Sequence, residues 1–259
     1  MTAENNGVAL GRYVYAVGVM ALAIAALAFS NFDPGQPVPK DVPDRLALAY
    51  AAAAFMLIAS AAILWRRTAA WGAAALSAYF AIVVVGVMQG RLMPAHYAEF
   101  GTYSNAAGQL AVAAGGLIVF AATAKIDAAL SARLKRFGQL VFGLCAVFFG
   151  GAHFFYMNMT APLVPTWLPP NQEFWGYATG VFHIAAGVAI FTGVQARLAA
   201  ILLTVMYASF TPLVHVPMLL ANTASHFIWS ENAINIALTG VAWIVADSLA
   251  QVRIRSNVG

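Results

Sequence analysis

Eight apolar stretches of 18–20 residues alternate along the chain with short polar or proline-bearing breaks: 13–30, 46–64, 70–89, 105–124, 138–156, 174–193, 197–216 and 232–249. About 20 helical residues cross a hydrocarbon core about 30 Å thick, so each stretch is long enough to span a bilayer. None alternates apolar and polar with period two, and each is about twice the length of a barrel strand. The pattern predicts an all-α integral membrane protein with eight transmembrane helices.

The pattern also repeats. Residues 11–122 lie over 138–249 at a constant offset of 127 without a gap. Gly11 then falls on Gly138, Asn31 on Asn158, Pro43 on Pro170, Tyr50 on Tyr177, Phe55 on Phe182, Phe100 on Phe227, and Asn105 on Asn232. An ungapped match of this kind predicts a duplication: a first four-helix repeat over 1–124, a linker over 125–137, and a second repeat over 138–259. Each repeat holds an even number of spans, so the two are expected to be parallel, as two four-helix bundles side by side. The first span, with Arg12 before it and Ala26-Leu27-Ala28 at its end, has features of a signal peptide. Its counterpart is internal, so it is read as a retained helix.

Composition narrows the class further. With 62% hydrophobic and 8% charged residues, the chain has too few ionisable groups to coat a water-facing surface. The net charge of +4 would fit a nucleic-acid binder, but its distribution argues against one. Ten cations (Arg12, Arg66, Arg67, Lys125, Arg133, Lys135, Arg136, Arg197, Arg253, Arg255) fall on one side of the predicted topology, and three (Lys40, Arg45, Arg91) on the other. By the positive-inside rule both termini are expected in the cytoplasm, in the inner (cytoplasmic) membrane, with the lipid bilayer as the partner the basic residues serve. The linker 125–137 is charged and helix-favouring, and reads as a short surface helix near anionic headgroups. The outer connections 31–45 and 157–173 each carry four prolines, which favours stiff, extended loops. Trp167, Trp175, Tyr156 and Trp229 suit an interfacial belt. The small residues Gly180, Gly187, Gly115 and Gly116 suit close helix contact. A single Cys145 within a span reads as a core residue.

Candidate chemistry concentrates in the second repeat, which holds four of the five histidines. His183, about nine residues into its span, is the sharpest item, because an ionisable group at that depth is costly. His153 and His215 lie toward the outer face with Tyr156, Tyr207, Glu231 and Asn232, and together these seven form the candidate ligand-binding set. The bland reading stands beside it: each histidine can be a neutral group bonded to a carbonyl, and His226 a loop residue. No H-x-x-x-H or H-E-x-x-H spacing occurs, so no metal site is expected. In the first repeat Ala26, Met56, Met88 and Ser104 stand at the positions of His153, His183, His215 and Glu231. That repeat therefore reads as scaffold, with His96 and Glu99 in an outer connection facing solvent.

Three runs in the second repeat carry a further likeness. They are Gly150-Gly151-Ala152-His153-Phe154, then Val164-Pro165-Thr166-Trp167-Leu168-Pro169-Pro170, then Tyr177-Ala178-Thr179-Gly180-Val181-Phe182-His183 continuing to Gly187. With Ala196-Arg197 at the start of the next span, this half resembles the DoxX-like family of four-helix membrane proteins over 137–249. Thr166 stands in place of a loop proline. His183 stands where that family usually has a carboxylate, replacing an acceptor by a group that also donates. The resemblance implies a four-helix membrane fold. It also implies a role such as a membrane subunit of a quinone-linked or thiol-redox system, with a quinone as ligand and a redox protein as partner, or else a role in assembling membrane proteins. The leading expectation is a small-molecule pocket near the outer face of the second repeat, in which His153 and His183 bond a quinone or relay its protons. The alternative is a non-enzymatic scaffold or assembly factor. Transport between the halves ranks last, because it would call for polar lining from both repeats.

Overall fold

A computed structural model describes the backbone of residues 9–256 and the side chains of 10–250; Arg253 and Arg255, counted above among the basic residues of one side, lie outside the described side chains. Every regular element described is helical. Eight helices are long and apolar enough to cross a membrane: α1 (Ala9–Ala28), α2 (Arg45–Leu64), α3 (Ala69–Gln89), α4 (Phe100–Thr123), α5 (Ala128–Phe155), α6 (Gln172–Thr192), α7 (Ala196–Ala221) and α8 (His226–Ser256). The chain is a multi-pass helical protein of membrane-spanning character, as its apolar runs predict. In such a setting the backbone must satisfy its own polar groups, and a helix does so within one segment.

The helices form a ring in chain order, α1 to α8, closed by extensive contact between α8 and α1 and between α4 and α5. Helices α4 and α8 also meet through the middle, and they are the most enclosed helices with α1. Small residues let the backbones approach where the ring closes. A Cβ on Gly240 would sit 2.2 Å from the Tyr15 nitrogen, and one on Gly187 would sit 2.5 Å from the Gly143 carbonyl oxygen. At the far end of α1, Phe29 stacks on His226 of α8 with ring centroids 4.8 Å apart; at the far end of α5, Phe155 stacks on Phe100 of α4 at 4.4 Å.

Connections fall at two ends. The arginine-rich end has short turns, and there Arg136 donates to the carbonyls of Ile190 (3.1 Å) and Phe191 (2.7 Å), capping the last turn of α6. Segment 125–137 is not a separate surface helix. Asp127 caps Ala129 and Leu130 through its side chain, and from Ala128 the helix runs unbroken into α5. At the other, proline-rich end the segments are long but not uniformly extended: residues 157–163 coil into two short helices. Helix α8 begins at His226, so His226 and Glu231 are helical.

Two helices depart from α geometry. In α3 the stretch Tyr79–Gln89 is a π-helix, and in α7 so is Thr211–His215. The second has a visible cause. Pro212 has no N–H to return to the carbonyl five residues back, that of Tyr207. Asn235 of α8 supplies the missing donor, at 3.0 Å to the Tyr207 carbonyl and 3.0 Å to the Thr211 hydroxyl. Such wide turns alter which residues face the core, and in α3 the turn brings Gln89 into full burial.

Candidate functional site

After α1 the chain does not run over the surface. Phe32, Asp33 and Gln36 are buried, so the segment 32–36 forms a plug in the proline-rich end of the bundle. Locally it is an Asx-type turn: the Gly35 N–H donates to Asp33 Oδ1 at 2.8 Å and the Gln36 N–H to the Asp33 carbonyl at 2.8 Å. Side chains from four helices then hold it. Gln89 of α3 donates to the Gly35 carbonyl (2.9 Å), Tyr79 of α3 to Gln36 Oε1 (2.9 Å), and Ser230 of α8 to Asp33 Oδ2. The Gln36 amide reaches Met56 Sδ of α2 at 3.4 Å, and Gln109 of α4 lies so close that a Cβ on Gly35 would meet its Nε2 at 2.2 Å. Burial pushes the Asp33 carboxyl above its ordinary range, against the opposing pull of the Ser230 and Gly35 hydrogen bonds and of His226.

Beside the plug lies a cavity of about 420 Å³ between α4, α8 and the end of α5. Asp33, Ser104, Asn105, Gln109, Ser230, Glu231 and Tyr156 bring polar groups to it, and Phe149, Phe227, Ile234 and Leu238 line its apolar side. Gln109 is the tenth residue of α4, so the cavity descends about 14 Å below the start of that helix at 1.5 Å per residue. The Gln109 amide oxygen is buried and has no hydrogen-bond partner. Leaving such a group unpaired costs about 1–3 kcal/mol, a cost that a hydrogen-bond donor beside it would offset. Tyr156 faces the same space while accepting from the Gly101 N–H at 2.7 Å.

The seven residues expected to form one site are distributed over four places. His153, His183 and Tyr207 do converge: the imidazole centroids are 5.0 Å apart, and that of His183 is 5.4 Å from the Tyr207 ring. Each imidazole Nδ1 is bonded to the carbonyl four residues back, at 2.8 Å to Phe149 for His153 and 2.8 Å to Thr179 for His183. The Tyr207 hydroxyl is buried without a partner. Tyr156 and Glu231 belong to the polar cavity instead. Asn232, one residue on, lies on another face of α8 against α1, where it lines an apolar recess with Ala25 and Phe29. His215 sits in the π-turn of α7, with no ring contact to the other histidines. Residues of the first half, expected as scaffold, also line the polar cavity: Asp33, Ser104, Asn105 and Gln109. His96 and Glu99 are exposed, as expected, and pair with each other at 2.8 Å.

A second, larger space of about 560 Å³ is an apolar groove along α6 and α7, running from Val164 and Pro165 at one end to Gln195 and Leu198 at the other. Phe210 and Met206 line it, and Phe210 also touches the His183 ring. Three of its side-chain donors are engaged, Trp175 Nε1 with the Pro169 carbonyl and Thr179 and Ser209 with carbonyls of their own helices. Among the described residues no group of three or more His, Cys, Asp or Glu is placed to hold a metal ion.

Asp33, Gln36, Gln89 and Gln109 were not among the sequence candidates. A signal for Gln109 exists in the chain, since a polar side chain within an apolar span is costly unless it has a partner.

Fold and site together define a multi-pass helical membrane protein with a partly open polar cavity at one end. A family model described as a domain of unknown function (DUF8561) matches residues 142–246. The matched segment holds His153, His183, Tyr207 and Glu231, begins after the linker, and leaves Asp33 and Gln109 outside it. No curated protein and no solved structure matches the chain.

Proposed function

We propose that this is a membrane protein whose work is to bind a small polar molecule in the cavity between α4 and α8, as part of its transport or sensing across the bilayer. The observation that carries this reading is the Gln109 amide oxygen, buried and unpartnered in a cavity that both halves line. A purely structural scaffold gains nothing from that arrangement, whereas a solute with an N–H or O–H to offer recovers its cost. The test is native mass spectrometry of the full chain released from detergent. A bound small molecule is expected on the wild type and on a groove variant, Leu202→Ala, and lost from Gln109→Leu. Equal retention by wild type and Gln109→Leu would refute it.

Orientation follows the charge bias, with the arginine-rich end in the cytoplasm and the cavity opening from the outside of the inner membrane. The origin we favour is duplication, with the second half DoxX-like. Three features support it. Neighbours in the ring repeat after four helices. The third helix of each half carries a π segment. Gly11 faces Ile244 while Gly138 faces Ile118, pairs displaced by 127 (138 − 11) and 126 (244 − 118) residues. Like-oriented halves of this kind commonly place their ligand at the interface between them.

A quinone-linked redox role is the second reading. It rests on the His153–His183–Tyr207 cluster, with its unpartnered hydroxyl, behind an apolar groove long enough for an isoprenoid tail. Undiminished quinone-linked electron transfer in a His153→Ala/His183→Ala double variant would remove it.

A further inference from the structure

We propose that the molecule taken by the cavity between α4 and α8 is a small organic cation bearing N–H donors, a primary ammonium or guanidinium group on an apolar body. This rests on the solute-binding reading above and adds the charge and chemistry of the solute.

The lining is rich in acceptors and negative charge. Gln109, a lining residue, has a buried amide oxygen with nothing to accept from. Glu231 lines the same space and makes no hydrogen bond to any described residue, and Asp33 lines it too. No lysine or arginine lines the cavity. Two carboxylates in one poorly solvated space are relieved by a cation between them. An ammonium or guanidinium satisfies charge and hydrogen bonding together, because each N–H can be aimed at a separate oxygen.

Size and walls distinguish an organic cation from a bare ion. About 420 Å³ is far more than one inorganic ion fills, and the remainder is bounded by Phe149, Phe227, Ile234 and Leu238. Aromatic faces beside a cation site add cation–π attraction and shelter an alkyl body from water.

Thermal unfolding of the full chain in detergent tests this, with n-butylammonium as the cation, n-butanol as its neutral counterpart, butyrate as its anionic one, and sodium chloride at equal ionic strength. The expected result is saturable protection by n-butylammonium only. Its half-saturating concentration should rise at least tenfold in Glu231→Gln and in Gln109→Leu; the second variant decides the matter if the first does not fold. Equal or better protection by n-butanol or butyrate overturns the cationic class and leaves a solute site standing. Protection by sodium chloride alone also overturns it, in favour of an inorganic ion. No protection by any probe, with no molecule retained in the mass spectrum, overturns both the class and the solute-binding reading.

Discussion

Replacing Asp33 by asparagine isolates what the carboxylate charge does to the plug. The amide keeps an oxygen for the Gly35 N–H, 2.8 Å away, and the Ser230 hydroxyl can rotate to accept from the new NH₂. Shape and hydrogen-bond number are therefore nearly preserved, and only the titration is lost. In the wild type, burial raises the carboxyl above its ordinary value of 3.8, so the folded chain holds this proton more tightly than the unfolded chain does. The associated stability is fully present below 3.8 and is lost as pH rises through the raised folded value. Each tenfold gain in proton affinity is worth about 1.4 kcal/mol. For a chain of this size that corresponds to about 3–6 °C of melting temperature. Ser230, His226 and Glu231 from α8, Tyr79 from α3 and Gln109 from α4 face or surround the carboxylate. They are common to both proteins, so the difference between wild type and variant reports Asp33. Tryptophan-fluorescence melts in detergent from pH 5 to pH 8 are the assay, with six tryptophans as reporters. The wild type should lose stability relative to Asp33→Asn as pH rises. Parallel curves, or a wild type that gains on the variant toward pH 8, would refute the placement of a buried carboxylate in the plug.

Two further outcomes follow from the packing. Asn235→Leu removes the donor to the Tyr207 carbonyl and the Thr211 hydroxyl, and should cost about 1–2 kcal/mol in a denaturant titration, between the modest mean for membrane hydrogen bonds and the full penalty of an unpaired carbonyl. Asn232→Leu, three residues earlier and without a hydrogen bond, should cost little or nothing; equal losses would contradict the assigned roles. Gly240→Val should destabilise the fold by about 3 kcal/mol or more in the same titration, because its Cβ meets the Tyr15 backbone, which cannot rotate aside as a side chain would. A variant as stable as wild type would mean that α1 and α8 do not approach as described.

Much of the architecture is legible in the chain itself. The length of the apolar runs dictates eight spans, because the hydrocarbon thickness and the helical rise leave no other regular solution. The observed helices extend the predicted ones outward, by five to ten residues at the starts of α4, α5 and α8, where polar residues such as Ser131 and Ser230 continue the helix. Gly180 and Gly187 marked close helix contact in advance, and the buried Cys145 is the core residue its surroundings implied.

What the sequence could not determine is which polar residues share a space. Helix periodicity places a residue on a face, but neighbours are chosen by the order of the ring and the rotation of each helix, which depend on all eight packing against one another. Thus Glu231 and Asn232, adjacent in sequence, look into different recesses, while Asp33 and Ser230, 197 residues apart, share a hydrogen bond. The π segments in α3 and α7 shift that rotation again, and no propensity scale anticipates them. His153 and His183 meet because α5 and α6 are consecutive and held close by glycine. The polar cavity had no such local cause. It exists because a turn after α1 folds inward to meet the last helix, a long-range contact that only the assembled ring decides.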